Sequence, residues 1–82
     1  MLLKALPTAF HEQTMIRYRI NQPGAATVME IFDSQGRVVN TLALHDNEGE
    51  IIMGNAYSAG IYMVKLQSGN LSKMVRIVKI QR

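Results

Sequence analysis

The 82-residue sequence has no cysteine, no tryptophan and only two prolines. Without cysteine the chain can form neither a disulfide nor a thiolate metal site, and it has no cysteine nucleophile. No apolar stretch approaches the roughly 20 residues that a membrane-spanning helix needs. The opening residues MLLKAL are too few for the apolar region of a signal peptide, and they lack a basic start. The sequence therefore indicates neither a disulfide scaffold nor a membrane span.

Charge of either sign is also scarce. Nine basic and six acidic residues give a net charge of +3. Nucleic-acid-binding proteins usually concentrate more positive charge on one face, so we expect no nucleic-acid partner. Hydrophobic residues make up 48% of the chain, which is typical of a folded protein. A chain of this length suffices for one domain with a thin core, and we predict a single domain over residues 1–82.

Patterns that carry chemistry are missing as well. His11 and His45 are the two histidines, and neither has a hydroxyl and a carboxylate at catalytic spacing. The glycines form no phosphate-binding motif. The acidic segment 46–50 offers oxygen atoms that could ligate calcium, but it lacks EF-hand spacing and is better interpreted as a solvated loop. We predict no enzymatic activity, no cofactor and no metal site.

The aromatic residues do not suggest a binding platform. Tyr18 and Tyr62 alternate with apolar neighbours, so we expect both in the core, whereas Tyr57 lies in a predicted loop. A platform for sugars or single-stranded nucleic acid needs several aromatic side chains on one exposed face. The sequence offers no such group.

Alternation of side chains predicts strands. Residues 14–20, TMIRYRI, alternate apolar residues with two arginines, which is the period of a strand with one wet face. Further strands are predicted at residues 25–33, 37–44, 51–53, 61–67 and 71–80, and a short seventh could lie near residues 6–10. No intervening segment is long enough for a crossover helix. We predict an all-β fold, a small antiparallel Ig-like β-sandwich of six or seven strands.

Turn residues separate these strands. The segment 21–24 contains Pro-Gly, which suits the centre of a type II turn. Gly36 can supply the left-handed position of a hairpin loop, and the Asp33 side chain can accept hydrogen bonds from nearby backbone N–H groups. Asn40 interrupts the apolar face of the return strand. It could be a satisfied core residue or the mark of a bulge.

The last twelve residues fit two interpretations. Basic residues recur there at every third position: Lys73, Arg76, Lys79 and Arg82. On a helix they would form a basic face opposite an apolar stripe, which suggests a membrane surface or nucleic acid. The segment follows a hairpin loop and is rich in β-branched residues, which favours a strand. We predict a strand that is apolar on both faces and could pair with a second copy, giving a homodimer, or with a receptor strand.

Three stretches of the chain, in order, and a fourth that precedes them resemble the C-terminal sorting domains of the type IX secretion system. VMEIFDSQGRVVNTL is similar to that family's hydrophobic–Tyr/Phe–Asp–x–x–Gly–Arg–x–Val hairpin, and SAGIYMVKLQSGN resembles its Ser-x-Gly-x-Tyr-x-Val hairpin. KMVRIVKI resembles the family's final strand, and AFHEQTMIRYRI resembles the segment that leads into the first long strand. The chain departs from the family pattern at PTAF, where Pro-Asn-Pro-Phe is frequent.

This resemblance implies a secretion signal. Such domains lie at the C terminus of secreted proteins of Bacteroidetes-type bacteria and direct their cargo across the outer membrane. They are then usually removed at the cell surface by a sortase-like peptidase. The implied partners are the type IX translocon or shuttle, that peptidase and a covalently fused cargo domain. The chain would pass through the periplasm and outer membrane and be secreted or reach the cell surface. The chain given would be the C-terminal domain of a larger secreted protein, and Met1 would be a residue added in front of it.

The resemblance also points to two groups of residues. The first group holds positions of the family motifs and is expected to shape the hairpins: Asp33, Gly36, Arg37, Gly60 and Tyr62. The second group is the basic series from Lys73 to Arg82, whose exposed charges could be recognised by the translocon. These charges could equally serve solubility and protect a sheet edge.

One other hypothesis stays open. The chain could be an Ig-like or fibronectin-like adhesive or spacer module of a surface protein, similar to the Ig-like part of flagellar hook-capping proteins. Such a module would have the same fold and no sorting role.

Overall fold

The computed structural model describes residues 1–21 and 26–81. The turn predicted at residues 21–24 therefore lies mostly outside the described residues. Within them the chain forms eight strands: β1 (Leu2–Leu6), β2 (Ala9–Phe10), β3 (Thr14–Arg19), β4 (Thr27–Asp33), β5 (Val38–Leu44), β6 (Glu48–Met53), β7 (Gly60–Ser68) and β8 (Leu71–Lys79).

The strands form two sheets. One has the order β1-β3-β6 and the other the order β2-β8-β7-β4-β5. Neighbouring strands are antiparallel except β2 and β8, which pair in parallel through Ala9–Val78 and Phe10–Lys79. The predicted all-β sandwich is confirmed. It has eight strands instead of six or seven, and one short parallel pair within an otherwise antiparallel sheet.

β1 is a strand that the sequence does not predict. It pairs with β3 along its whole length, from Leu2 opposite Arg19 to Leu6 opposite Met15. Its sequence LLKAL contains no β-branched residue, so local preference does not favour a strand. Pairing with β3 and burial of Ala5 stabilise the extended form instead.

β6 begins earlier than predicted. The segment 46–50 is predicted as a loop, but β6 starts at Glu48. Glu48 lies directly opposite Arg19 on β3, and Glu50 lies opposite Arg17. Opposite charges on paired residues stabilise antiparallel strands. The prediction of a loop is wrong for residues 48–50 because the partners that stabilise this strand lie about thirty positions away in the sequence.

The core fills the space between the two sheets. On β7 every second residue faces it: Tyr62, Val64 and Leu66 are buried, as predicted. Tyr18 is buried too, which confirms its predicted core position. The buried hydrophobic residues are Ala5, Phe10, Ile16, Tyr18, Ile20, Met29, Ile31, Tyr62, Val64, Leu66 and Ile77.

β5 is an edge strand that carries a bulge. Ile31 on β4 pairs with Asn40, but the next residue, Phe32, pairs with Val38, so Val39 is an extra residue on β5. One extra residue opposite a regular strand is a β-bulge. Asn40 is exposed. Of the two interpretations of Asn40, the bulge is confirmed and the core position is wrong.

β8 is a strand, so the strand interpretation of the C-terminal segment is confirmed and the helix is wrong. β8 pairs with β7 from Leu71 to Lys79. On its other side, β2 covers only Val78 and Lys79. From Leu71 to Arg76 this edge pairs through hydrogen bonds with no strand among the residues described, although β1 of the other sheet lies close to β8.

Candidate functional site

The turn between β4 and β5 is organised by the side chain of Asp33. Its Oδ1 accepts hydrogen bonds from the backbone N–H groups of Gln35 and Arg37, each at 2.9 Å. Its Oδ2 accepts a third from Nε of Arg37 at 2.9 Å. Gly36 has a φ of 83°, a conformation that glycine adopts without steric cost. Asp33, Gly36 and Arg37 thus each contribute to the shape of this turn.

These hydrogen bonds also act on the ionisation of Asp33. The backbone N–H of Arg37 has the largest effect and lowers the pKa of Asp33 below its ordinary value. The Gln35 N–H and the Arg37 side chain lower this pKa further, while partial desolvation opposes them. A carboxylate that accepts several N–H bonds is stabilised in its charged form. The turn therefore favours an ionised Asp33.

The loop before β7 is closed by Tyr62. Its hydroxyl donates a hydrogen bond to the carbonyl oxygen of Ser58 at 2.6 Å. Its ring packs against Tyr57, with ring centroids 4.8 Å apart. Tyr57 is half-buried, and burial, followed by the proximity of Tyr62, raises the pKa of Tyr57. Gly60 has a φ of 152°, which side-chain-bearing residues rarely adopt. The Ser-x-Gly-x-Tyr pattern therefore closes a short loop.

The two hairpin motifs lie side by side. Asp33, the last residue of β4, pairs directly with Tyr62 on β7. A groove of about 370 Å³ lies between the two turns, and Arg37, Tyr57 and Gly60 are among the residues that line it. Motif positions that are far apart in the sequence thus meet at one end of the five-stranded sheet, a proximity that sequence reasoning did not anticipate.

The basic residues of the last segment do not form one group. Alternation along β8 places Lys73 and Lys79 on the same side as the buried Ile77, and Arg76 on the opposite side. Arg82 lies outside the described residues. Period three makes one face on a helix, but on a strand it distributes the charges over both faces.

Lys79 has a structural environment of its own. Its ammonium donates hydrogen bonds to the backbone carbonyl oxygens of Gly54, Asn55 and Glu12, at 2.5, 3.1 and 3.5 Å. Lys73 and Arg76 are exposed, and neither forms an ion pair within residues 1–21 and 26–81. Lys73 and Arg76 are therefore more accessible to a partner than Lys79.

The acidic residues of β6 form ion pairs with arginines of β3. An oxygen of Glu50 lies 2.7 Å from Arg17, and one of Glu48 lies 3.4 Å from Arg19. In the part of the chain that the structure describes, no three His, Asp or Glu side chains are placed to hold a metal ion together. The same part contains no helix of the length and apolarity required to cross a membrane.

A sequence profile of secretion system C-terminal sorting domains matches residues 7–81, nearly the whole chain. The chain belongs to this family. The match confirms the resemblance to sorting domains of the type IX secretion system and supports a sorting role for the chain. This family is not a family of enzymes. No curated protein and no solved structure matches the chain significantly.

The sandwich of this sorting domain extends beyond the matched residues. The match begins at Pro7, yet the preceding strand β1 pairs with β3 and buries Ala5. The sequence carries a weak signal for it, because Leu3 and Ala5 alternate with the exposed Lys4. Three residues alone are too few to distinguish a strand from a loop.

Proposed function

We propose that this sorting domain carries a fused cargo protein across the outer membrane through the type IX secretion system and is then cleaved off at the cell surface. The observation that supports the proposal is the family match over residues 7–81. The partners in this proposal are the translocon or its shuttle and a sortase-like peptidase. The cargo would be secreted or stay at the cell surface.

For recognition by the translocon we propose Lys73 and Arg76. Both are exposed on β8, and exposed charges steer association with a partner of opposite charge. Lys79 is better suited to a structural role because three carbonyl oxygens already accept its hydrogen bonds. Arg82 stays a predicted recognition residue outside the described part of the chain. For Asp33, Gly36, Arg37, Gly60 and Tyr62 we propose a role in shaping the two turns.

The experiment places residues 1–82 behind a passive reporter with a signal peptide, in a bacterium that has a type IX system. We expect the reporter at the cell surface, detected by protease accessibility on intact cells. If a folded fusion stays in the periplasm, the sorting proposal fails. The spacer function, with the same sandwich and no sorting role, would then take its place.

Two variants separate folding from recognition. Removal of residues 75–82 takes away Ile77, which is completely buried, and should unfold the domain. The double variant Lys73→Gln/Arg76→Gln should fold, because exposed charges contribute little to stability. If it folds and stays in the periplasm, the two charges are recognised. A matched control, Lys4→Gln/Arg19→Gln, removes the same charge from the other sheet and should be exported.

A homodimer through β8 is a further proposal. The edge from Leu71 to Arg76 offers backbone groups that pair with no other strand in the described residues. Such an edge can accept a strand from a second copy.

A further inference from the structure

The outer faces of the two sheets differ in character. On the three-stranded sheet, Arg17 and Arg19 are paired with Glu50 and Glu48, so the charges compensate one another. The outer face of the five-stranded sheet carries a row of apolar side chains on four neighbouring strands. These are Val28, Phe32, Val38, Ile61, Met63, Met74 and Val78. Adjacent apolar side chains on an exposed face are a common feature of interaction sites.

A groove runs along this apolar face. It has a volume of about 550 Å³, and its walls include Phe32, Ile61, Met63 and Met74. Ile61 is 44% exposed and Met74 is 54% exposed, so neither is needed to fill the core. Methionine side chains are flexible and polarisable, and surfaces rich in them adapt to the shape of a partner. The groove is large enough to receive bulky apolar side chains.

Two cations beside the groove form no ion pair within the described residues. Lys65 lines the groove, and Arg76 lies directly opposite Met63 on the same face. Neither cation forms an ion pair with any described residue, whereas Arg17, Arg19 and Arg37 each do. Two carboxylates are nearby. Asp33 lines the groove and is bound to Arg37, and Glu30, although opposite Lys65 in the register, makes no ion pair with it.

We propose that this groove binds an acidic amphipathic protein segment. Apolar side chains of the segment would fill the space between Phe32, Met63 and Met74, and its carboxylates would pair with Lys65 and Arg76. Such a segment would bury the apolar walls and form ion pairs with the two cations. This interaction goes beyond the sorting role and does not depend on it.

Two other occupants fit the face less well. A second copy placed face to face would bring Lys65 and Arg76 of both molecules together, and like charges across an interface oppose association. A flat lipid surface would make fewer packing contacts with the walls of the groove than side chains that enter it. The apolar groove and the cations without ion pairs together favour an acidic segment.

The six methionines allow a direct test by NMR of protein labelled with ¹³C at the methionine methyl groups. Met63 and Met74 report on the groove, Met15 and Met53 on the other sheet, and the completely buried Met29 on the core. The probe is the blocked peptide Glu-Leu-Glu-Phe-Glu-Leu-Glu, and the control peptide has lysine in place of each glutamate. We expect saturable shifts of the Met63 and Met74 signals with the acidic peptide alone.

Variants identify the charges involved. The double variant Lys65→Gln/Arg76→Gln should weaken binding of the acidic peptide roughly tenfold, as expected for two exposed ion pairs. The control Lys4→Gln/Arg19→Gln has the same net charge and should bind as the unaltered protein does. Circular dichroism establishes that both variants fold. Equal affinity of the two double variants would overturn the proposed role of Lys65 and Arg76.

Other outcomes would overturn the proposal itself. Folded protein whose Met63 and Met74 signals do not move with the acidic peptide has no such site. Equal shifts of the Met63 and Met74 signals with the lysine peptide would show that the groove binds peptides regardless of their charge. A Met63 signal that changes with protein concentration alone would assign the face to a second copy. Shifts produced by phosphatidylglycerol-containing vesicles, and by neither peptide, would assign it to a lipid surface.

Discussion

The ammonium of Lys79, on the last strand, lies 2.5 Å from the carbonyl oxygen of Gly54 in the loop after β6. The same ammonium donates to Asn55 in that loop and to Glu12 in the segment after β2. One cation therefore holds the end of β8 against two loops from distant parts of the chain.

Replacement of Lys79 should destabilise the fold. We expect Lys79→Gln to lower the free energy of unfolding by about 1–3 kcal/mol, because three carbonyl oxygens lose a charged donor. Lys73→Gln removes the same charge from an exposed position of the same strand and should stay within about 0.5 kcal/mol of the unaltered protein. Urea unfolding followed by circular dichroism measures both. Equal stability of the two variants would contradict this account of Lys79.

Gly54 should tolerate no side chain. Its φ is 109°, and a Cβ atom there would lie against the Phe10 ring. Gly36 has a φ of 83° but open space around it, so it serves as the matched control. Gly36→Ala should cost roughly 1–2 kcal/mol for the left-handed conformation alone. Gly54→Ala should cost about 1–3 kcal/mol more because of the steric overlap. Urea unfolding curves measure the stability of both variants. Similar losses of unfolding free energy would show that the Phe10 ring can move aside.

The turn at Asp33 should make stability depend on pH. Because the pKa of Asp33 is lowered in the folded protein, the unfolded chain binds more protons than the folded one between the two pKa values. The stabilisation is present above the ordinary pKa of the carboxyl and is lost as the pH falls through the folded-state pKa. Asp33→Asn cannot ionise, so its stability deficit should shrink in acid.

The measurement is a series of urea unfolding curves between about pH 6 and about pH 2, for the unaltered protein and Asp33→Asn. Asp46→Asn, in the exposed segment before β6, is the control and should follow the unaltered protein. A deficit for Asp33→Asn that stays constant over the whole range would show that ionisation of Asp33 does not stabilise the turn.

Pairing of β8 with a second copy should depend on its open edge. The N–H of Val78 donates to the carbonyl oxygen of Thr8, on the β2 side, so by alternation the N–H of Ser72 points to that side as well. We expect partial dimerisation at millimolar concentration in sedimentation equilibrium. Ser72→Pro removes an outward N–H and leaves the hydrogen bonds to β7 in place, so it should be monomeric. If both proteins are monomeric at that concentration, the proposed homodimer is wrong.

Local sequence determined the central part of this fold. Alternation predicts that Tyr62, Val64 and Leu66 face the core, because successive side chains of a strand point to opposite sides. The turn that contains Asp33 and Gly36 is also readable, since its hydrogen bonds join residues at most four positions apart. β-branched residues predict a strand at 71–80 despite the helix-like charge period, and the strand observed is Leu71–Lys79.

The remaining features of the fold are visible only in the tertiary structure, because the strands that pair with one another are far apart in the sequence. β1 is extended through pairing with β3, and β6 begins at Glu48, which lies opposite Arg19 on β3. The parallel pairing of β2 with β8 joins the two ends of the chain. Local sequence does not specify the partner strand in any of these pairings.

The candidate sites, too, are predicted partly from the sequence and depend partly on the tertiary structure. Sequence identified Asp33 and Tyr62 as motif positions, but only the pairing of β4 with β7 places them next to each other. Sequence grouped Lys73, Arg76 and Lys79 by their spacing, whereas the alternation of a strand separates them onto two faces. The residue types are fixed by the sequence alone. Their neighbours are decided by hydrogen bonding between distant strands, which positions each side chain within the sandwich.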